Sequence, residues 1–158
     1  MSGQDLAFFV RQQREFFLRS TRCLQEEHSG YAPAEGMMTV AQQVAHVAHT
    51  LGWFQEGAFR PEGFDMDFEA HAREVMAVTS LTEARAWFSS ATDELANFLA
   101  GRTDEELKQP IAPGPVLGGL PREQIAGALN DHTAHHRGAL TVYSRLLGLT
   151  PPMPYMEW

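Results

Sequence analysis

Ile125, Leu129, His132, His136, Leu140, Tyr143 and Leu147 follow one another at steps of four, three, four, four, three and four residues. That spacing puts all seven side chains on one face of an α-helix, and a face so apolar has to be covered by other helices. Two of the seven are histidines one turn apart, within the stretch NDHTAHHRG at 130–138. Imidazoles four residues apart on a helix project from the same side and can reach one metal ion together. In core positions they lose water at both ring nitrogens and require a donor, an acceptor or a metal in its place. The stripe therefore predicts a helical bundle and a shared ligand for His132 and His136.

Three more long helices are predicted from the same periodicity. The first spans about 5–28, free of Pro and Gly and carrying Phe8, Phe9, Phe16, Phe17 and Leu24, with Asp5 as its N-cap. SGYAPAEG at 29–36 is a turn. The second helix runs from about Thr39, which has the spacing of a capping box with Gln42, to about Gly57. Its apolar side is Val40, Val44, Val47, Leu51 and Phe54; Gln42, His46, His49 and Trp53 lie roughly opposite. Amphipathicity alone turns both histidines to solvent, so they can serve a site only if this helix is covered on two faces. Residues 58–80 read as a crossover with a short helix at about 67–76, and the third long helix runs from Ser80 to Gly101. After a Pro- and Gly-rich loop containing a helical turn near 104–107, the fourth helix is expected from Pro121 to Gly148, followed by an extended tail. No strand-like alternation or internal repeat stands out. The chain at 1–158 thus reads as a single all-α domain, an antiparallel four-helix bundle with long crossover connections.

The formal net charge of -8, with Lys108 as the one lysine, opposes a nucleic-acid partner, because nonspecific binding to phosphates is mostly cationic. No window has the length of a membrane span, and MSGQDLAFFVRQQR lacks the order of a signal peptide, so the expected location is the cytoplasm. Cys23 has no second cysteine to pair with and is read as a plain helix residue.

A well-held divalent ion needs a third protein ligand from another helix. His46, His49, His71, His28 and the carboxylates are candidates, and His46 and His49 are best placed because both lie on a long helix that can face the fourth. TVAQQVAHVAH in the second helix and DHTAHHRGALTVYSRLLGLTPP in the fourth resemble the DinB-like, or YfiT-like, family of metal-dependent hydrolases over the whole chain in helix order. The resemblance implies a four-helix bundle of that type and a metal site at His46, His132 and His136, with His49 as the alternate. Ala139 departs from the pattern, standing where the family often has Gln. Nickel or zinc is the implied ion, with manganese or iron next. The implied reaction is hydrolysis or S-transfer on a small electrophilic substrate, the ion activating water or a low-molecular-weight thiol such as bacillithiol or mycothiol. A homodimer is also implied. The competing expectation is a non-catalytic metal-binding or structural bundle that acts through a partner interface.

Catalytic residues stay unassigned. Asp65, Asp67, Glu69 and Glu74 are general-base candidates only if the crossover lies over the site. Asp131 is positioned to orient a ligand imidazole or to face solvent, His135 and Arg137 are read as residues at the stripe's edge or on the surface, and Trp53 and Trp87 as core or pocket wall. Tyr155 and Trp158 are expected to cover one end of the bundle or a subunit contact.

Overall fold

The computed structural model describes residues 1–156, so the expectation for Trp158 lies outside the described residues. Among the described residues six α-helices form: α1 (Gly3–Thr21), α2 (Val40–Phe59), α3 (Phe68–Met76), α4 (Leu81–Ala100), α5 (Asp104–Lys108) and α6 (Ile125–Leu146). α1, α2, α4 and α6 are the four long helices of a bundle, and no strand occurs among the described residues.

Local chemistry sets most of the helix ends. Thr39 and Gln42 close a capping box on α2, as expected, and Thr103 and Glu106 close another on α5. Asp67 caps α3 and Ser80 caps α4. At α1 the cap is Ser2, not Asp5; Asp5 is the third helical residue and completes the box by accepting from the Ser2 backbone N–H. α1 also stops at Thr21, seven residues short of the expected end. Arg85 of α4 donates to the carbonyls of Thr21 and Leu24 at 2.8 and 3.1 Å, which satisfies acceptors at the helix end, and the chain turns there. Cys23 consequently lies just past the helix, 3.4 Å from the Ser144 hydroxyl. Pro121 does not open α6: it precedes a 3-10 turn at Arg122–Gln124 and bridges to Pro110. Gly148, at φ 76°, takes the left-handed conformation that ends α6.

Around the bundle the order is α1, α4, α2, α6. α1 and α4 are antiparallel, joined by Arg11–Asn97 and Arg14–Asp93 contacts of 2.7 Å each. α2 and α6 are likewise antiparallel, since Gln43 meets Tyr143 and His46 meets His132. The remaining neighbours run parallel: His49 packs on Trp87 and Phe59 on Phe98 between α2 and α4, while Met1 pairs with Glu123 and Cys23 with Ser144 between α1 and α6. Residues 60–80 join the parallel neighbours α2 and α4 and so form a long crossover, while 22–39 and 101–124 connect helices that lie diagonally across the bundle.

Phe17 and Phe88, with ring centroids 4.8 Å apart, fill the α1/α4 side of the core together with Leu6, Leu95 and Leu99. Each such side chain contributes about 1.5–3 kcal/mol when fully buried, so Phe17→Ala would cost about 3–5 kcal/mol once the cavity is included.

α2 is buried on two faces. Val40, Val44, Val47 and Leu51 face the core, and α3 lies antiparallel across the outer side, with Phe68 against Trp53, His71 against His49, and the Gln42 amide donating to the Met76 carbonyl. This covering removes His46 and His49 from the solvent that amphipathicity assigned them. The tail folds back along α1 and α6: Arg19 donates to the Pro154 carbonyl, and Tyr155 meets Phe16 edge-on and the Arg137 guanidinium. No helix among the described residues is long and apolar enough to cross a membrane.

Candidate metal centre

His46 projects from α2, and His132 and His136 project from the antiparallel α6. Their ring centroids form a nearly equilateral triangle with sides of 4.5, 4.8 and 4.9 Å. One nitrogen from each ring lies within 4.8 Å of the other two. Nε2 of His132 and Nε2 of His46 are 3.1 Å apart. Two nitrogens each about 2.0–2.1 Å from one ion can be at most about 4 Å apart, so this spacing fits a shared cation. A direct hydrogen bond between the two rings would occupy one pair of nitrogens only and leave the third ring without a part in the cluster.

Burial disfavours the charged form of all three rings. His132 is pushed down to about 4 and His136 to about 3, first by burial and then by the neighbouring imidazoles, and His46 is lowered for the same reasons. At neutral pH the cluster is therefore neutral, with lone pairs available as ligands.

His136 is held by a chain of buried polar groups. Its Nδ1–H donates to Gln43 Oε1 at 2.5 Å, the Gln43 amide donates to the Tyr143 hydroxyl at 3.3 Å, and that hydroxyl donates to the Met38 carbonyl at 3.1 Å. With Nδ1 protonated, Nε2 of His136 keeps its lone pair. Gln43 is a functional residue that the sequence did not disclose on its own. Its signal was an amide three residues before His46, among Val40, Val44 and Val47, where an apolar side chain would be expected.

The other candidates fall outside the cluster. His49 stacks on His71 at 4.8 Å and faces Trp87, with its Nε2 3.6 Å from Glu74. His28 accepts from the Gln25 backbone N–H and caps a 3-10 turn. His135 touches the His136 ring from an exposed position. Asp131 is exposed and leaves His132 Nδ1 without a hydrogen-bond partner among the described residues, so it does not orient that ring. Of the acidic residues in the crossover, Glu74 reaches His49, Asp65 faces His71 at 3.8 Å, Asp67 caps α3, and Glu69 pairs with Arg73. None of the four meets the three-histidine cluster.

Comparisons with known proteins place the fold and the family. The family model for the DinB superfamily matches residues 10–140. Among solved structures, the fold is similar to YfiT from Bacillus subtilis, described as "a probable metal-dependent hydrolase with an unusual four-helix bundle topology", with a TM-score of 0.70 and 16% identity over 94% of this chain and 89% of that one. A DinB-like protein from Bacillus cereus matches with a TM-score of 0.67 and 22% identity over 90% of each chain. YjoA, a DinB-like protein from Bacillus subtilis, matches with a TM-score of 0.70 and 19% identity over 97% of this chain and 99% of that one. No curated protein sequence matches.

Proposed function

Since the chain belongs to the DinB superfamily, we propose that it is a metal-dependent enzyme whose divalent ion, nickel or zinc, is held by His46, His132 and His136. The observation that carries this reading is the convergence of three neutral imidazoles from two helices, without a carboxylate or thiolate among them. Imidazole donors suit nickel and zinc, and three of them leave coordination positions open. Bound there, the ion would supply the positive charge that makes water or a low-molecular-weight thiol a nucleophile at neutral pH, for hydrolysis or S-transfer on a small electrophile.

The chain's own groups prepare the site. Gln43 fixes the tautomer and direction of His136, and Tyr143 fixes Gln43. α3 covers the outer side of α2 with Val75, which is buried, and with Phe68 edge-on to Trp53. The likeness to YfiT, whose description names a metal-dependent hydrolase, supports the same reading.

The test is metal content by elemental mass spectrometry on protein purified without an affinity tag, for wild type, His46→Ala, His132→Ala and His49→Ala. The expected result is near one ion per chain in the wild type and in His49→Ala, with loss in the other two. Wild-type protein that neither carries an ion nor takes up zinc, nickel or manganese would refute the reading. Hydrolysis and thiol transfer are then screened on loaded and stripped protein in parallel.

A further inference from the structure

Against the His46 and His132 rings lies a cavity of about 240 Å³ between α2, α3 and α6. Met38, Phe54, Phe68, Ala72, Val75 and Met76 supply its aliphatic and phenyl wall. Its polar side chains are nearly all engaged elsewhere. Thr50 donates to the His46 carbonyl at 2.8 Å, and the Trp53 indole N–H and His71 Nε2 both meet the Asp65 carbonyl, at 2.7 and 3.2 Å. His49 turns its Nε2 toward Glu74. What remains for a bound molecule is an apolar enclosure whose polar points are the imidazoles of His46 and His132.

On the far side of His49, Trp53 and His71 is a second cavity of about 310 Å³, bordered by Glu56, Glu74, Glu94 and Arg60. The formal charges of this region are on that outer side, and the inner chamber carries none. In the metal-free protein a charged group entering the inner chamber would lose water without gaining a partner, a cost of several kcal/mol, and with the ion bound a cationic group would also be repelled. An apolar group gains about 25 cal/mol for each Å² it removes from water. As a size guide, an engineered cavity of about 150 Å³ accepts benzene.

We propose that the inner chamber receives the apolar body of the substrate, an uncharged group the size of one benzene ring with a short alkyl arm, and holds its reacting polar atom against His46 and His132. This assignment rests on the metal-dependent reading of the same site, and it sets the substrate class: a small hydrophobic electrophile, without charge on the part that enters.

The probe is butylbenzene, compared on metal-stripped protein, where no ion can draw the carboxylate in, with 4-phenylbutylamine and 4-phenylbutyrate, which carry the same ring on a charged arm. Binding is followed by the ¹⁵N–¹H signal of the Trp53 indole, which lines the chamber. Saturable binding of butylbenzene is expected, at least tenfold tighter than either charged analogue. Ala72→Phe and Met76→Trp, both at exposed positions of α3 with side chains toward the chamber, should each weaken it at least tenfold by filling the space. Absence of saturable butylbenzene binding to the wild type, or equal affinity for a charged analogue, overturns the proposal whether or not either variant folds. Unchanged affinity in a folded filling variant also overturns it. Metal uptake measured on the same samples separates the two claims: a protein that takes up the ion and, when stripped, ignores butylbenzene removes the chamber and keeps the ion, whereas a stripped protein that binds it and never takes up metal removes the ion.

Discussion

His46 and His49 stand three residues apart on one helix, yet they belong to different chemical settings. His46 meets two imidazoles and, through His136, a buried amide; no carboxylate is part of the cluster. His49 meets an imidazole, an indole and the carboxylate of Glu74, whose side chain is 61% exposed. In the first setting neutral rings converge and their lone pairs point at a common centre, which suits a cation. In the second, a carboxylate beside the ring favours its protonated form and offsets part of the effect of burial, which still lowers the His49 pKa. What distinguishes two histidines of the same helix is thus what the neighbouring elements bring to them: α6 brings bases to His46, and α3 brings an acid to His49.

Gln43 is where that contrast can be broken most severely. Replacing it with leucine removes the acceptor of His136 Nδ1–H, frees the tautomer, and leaves a buried N–H without a partner. Loss of such an outer partner typically lowers metal affinity by about 10–100-fold. Gln43→Leu is expected to weaken zinc or nickel binding by that amount in a chelator competition, together with about 1–3 kcal/mol of stability in urea unfolding of the stripped protein. Glu74→Gln, on α3 across the other side of α2, should leave metal affinity within a factor of about two. Equal affinities for wild type and Gln43→Leu would mean that the His136 orientation does not depend on the amide.

The two settings also differ in how far they could be read from the chain. The stripe through His132 and His136, the Thr39–Gln42 cap and the four long helices follow from spacing, because helical periodicity and capping are local. The choice of His46 over His49 came from family resemblance, since the amphipathic pattern of α2 turned both to solvent. The α6 rings against His46 and the placement of α3 over the outer face explain why both are partly buried, and a crossover's resting place is set by long-range contacts such as Trp53 with Phe68. Gln43 was illegible for a related reason: an amide amid valines carries meaning only once Tyr143, a hundred residues on, is known to hold it. The early end of α1 likewise depends on Arg85, from another helix.

A second consequence follows from pH. His132 and His136 titrate near 4 and 3 in the folded chain, against an ordinary value of 6.5. Between pH 6.5 and about 3 the unfolded chain binds more protons than the folded cluster does, so folded stability falls as the pH falls through that window and is complete above it. Glu26, drawn down to about 2 by hydrogen bonds from Thr82, adds its own loss only below about pH 4.5. Metal-free protein should therefore melt at a lower temperature at pH 5 than at pH 7, and His132→Leu should flatten that difference. An unchanged pH 5 to pH 7 difference in the variant would assign the slope to other groups. His49 adds to the slope in the same direction, since its pKa is also lowered, but Glu74 works against its burial and weakens its share.

The smallest effect is expected at Glu74 itself. Its carboxylate is 3.6 Å from His49 Nε2 and largely in water, so the pair is worth at most about 1 kcal/mol and is weakened by salt. Burial lowers the His49 pKa, Glu74 and Glu56 raise it, and the neighbouring His71 lowers it. Glu74→Gln removes the larger of the two raising influences while preserving shape, so the His49 imidazole should titrate at a lower pH than in the wild type, as followed by the ring ¹³C–¹H signals. His46 should be nearly unmoved, because its own lowering comes from burial and from His49 and His135, with no carboxylate taking part. If Glu74→Gln displaced both rings equally, the two settings would be one continuous electrostatic unit. If it moves His49 alone, the division of α2 into an ion-facing side and an acid-facing side stands at the level of individual protons.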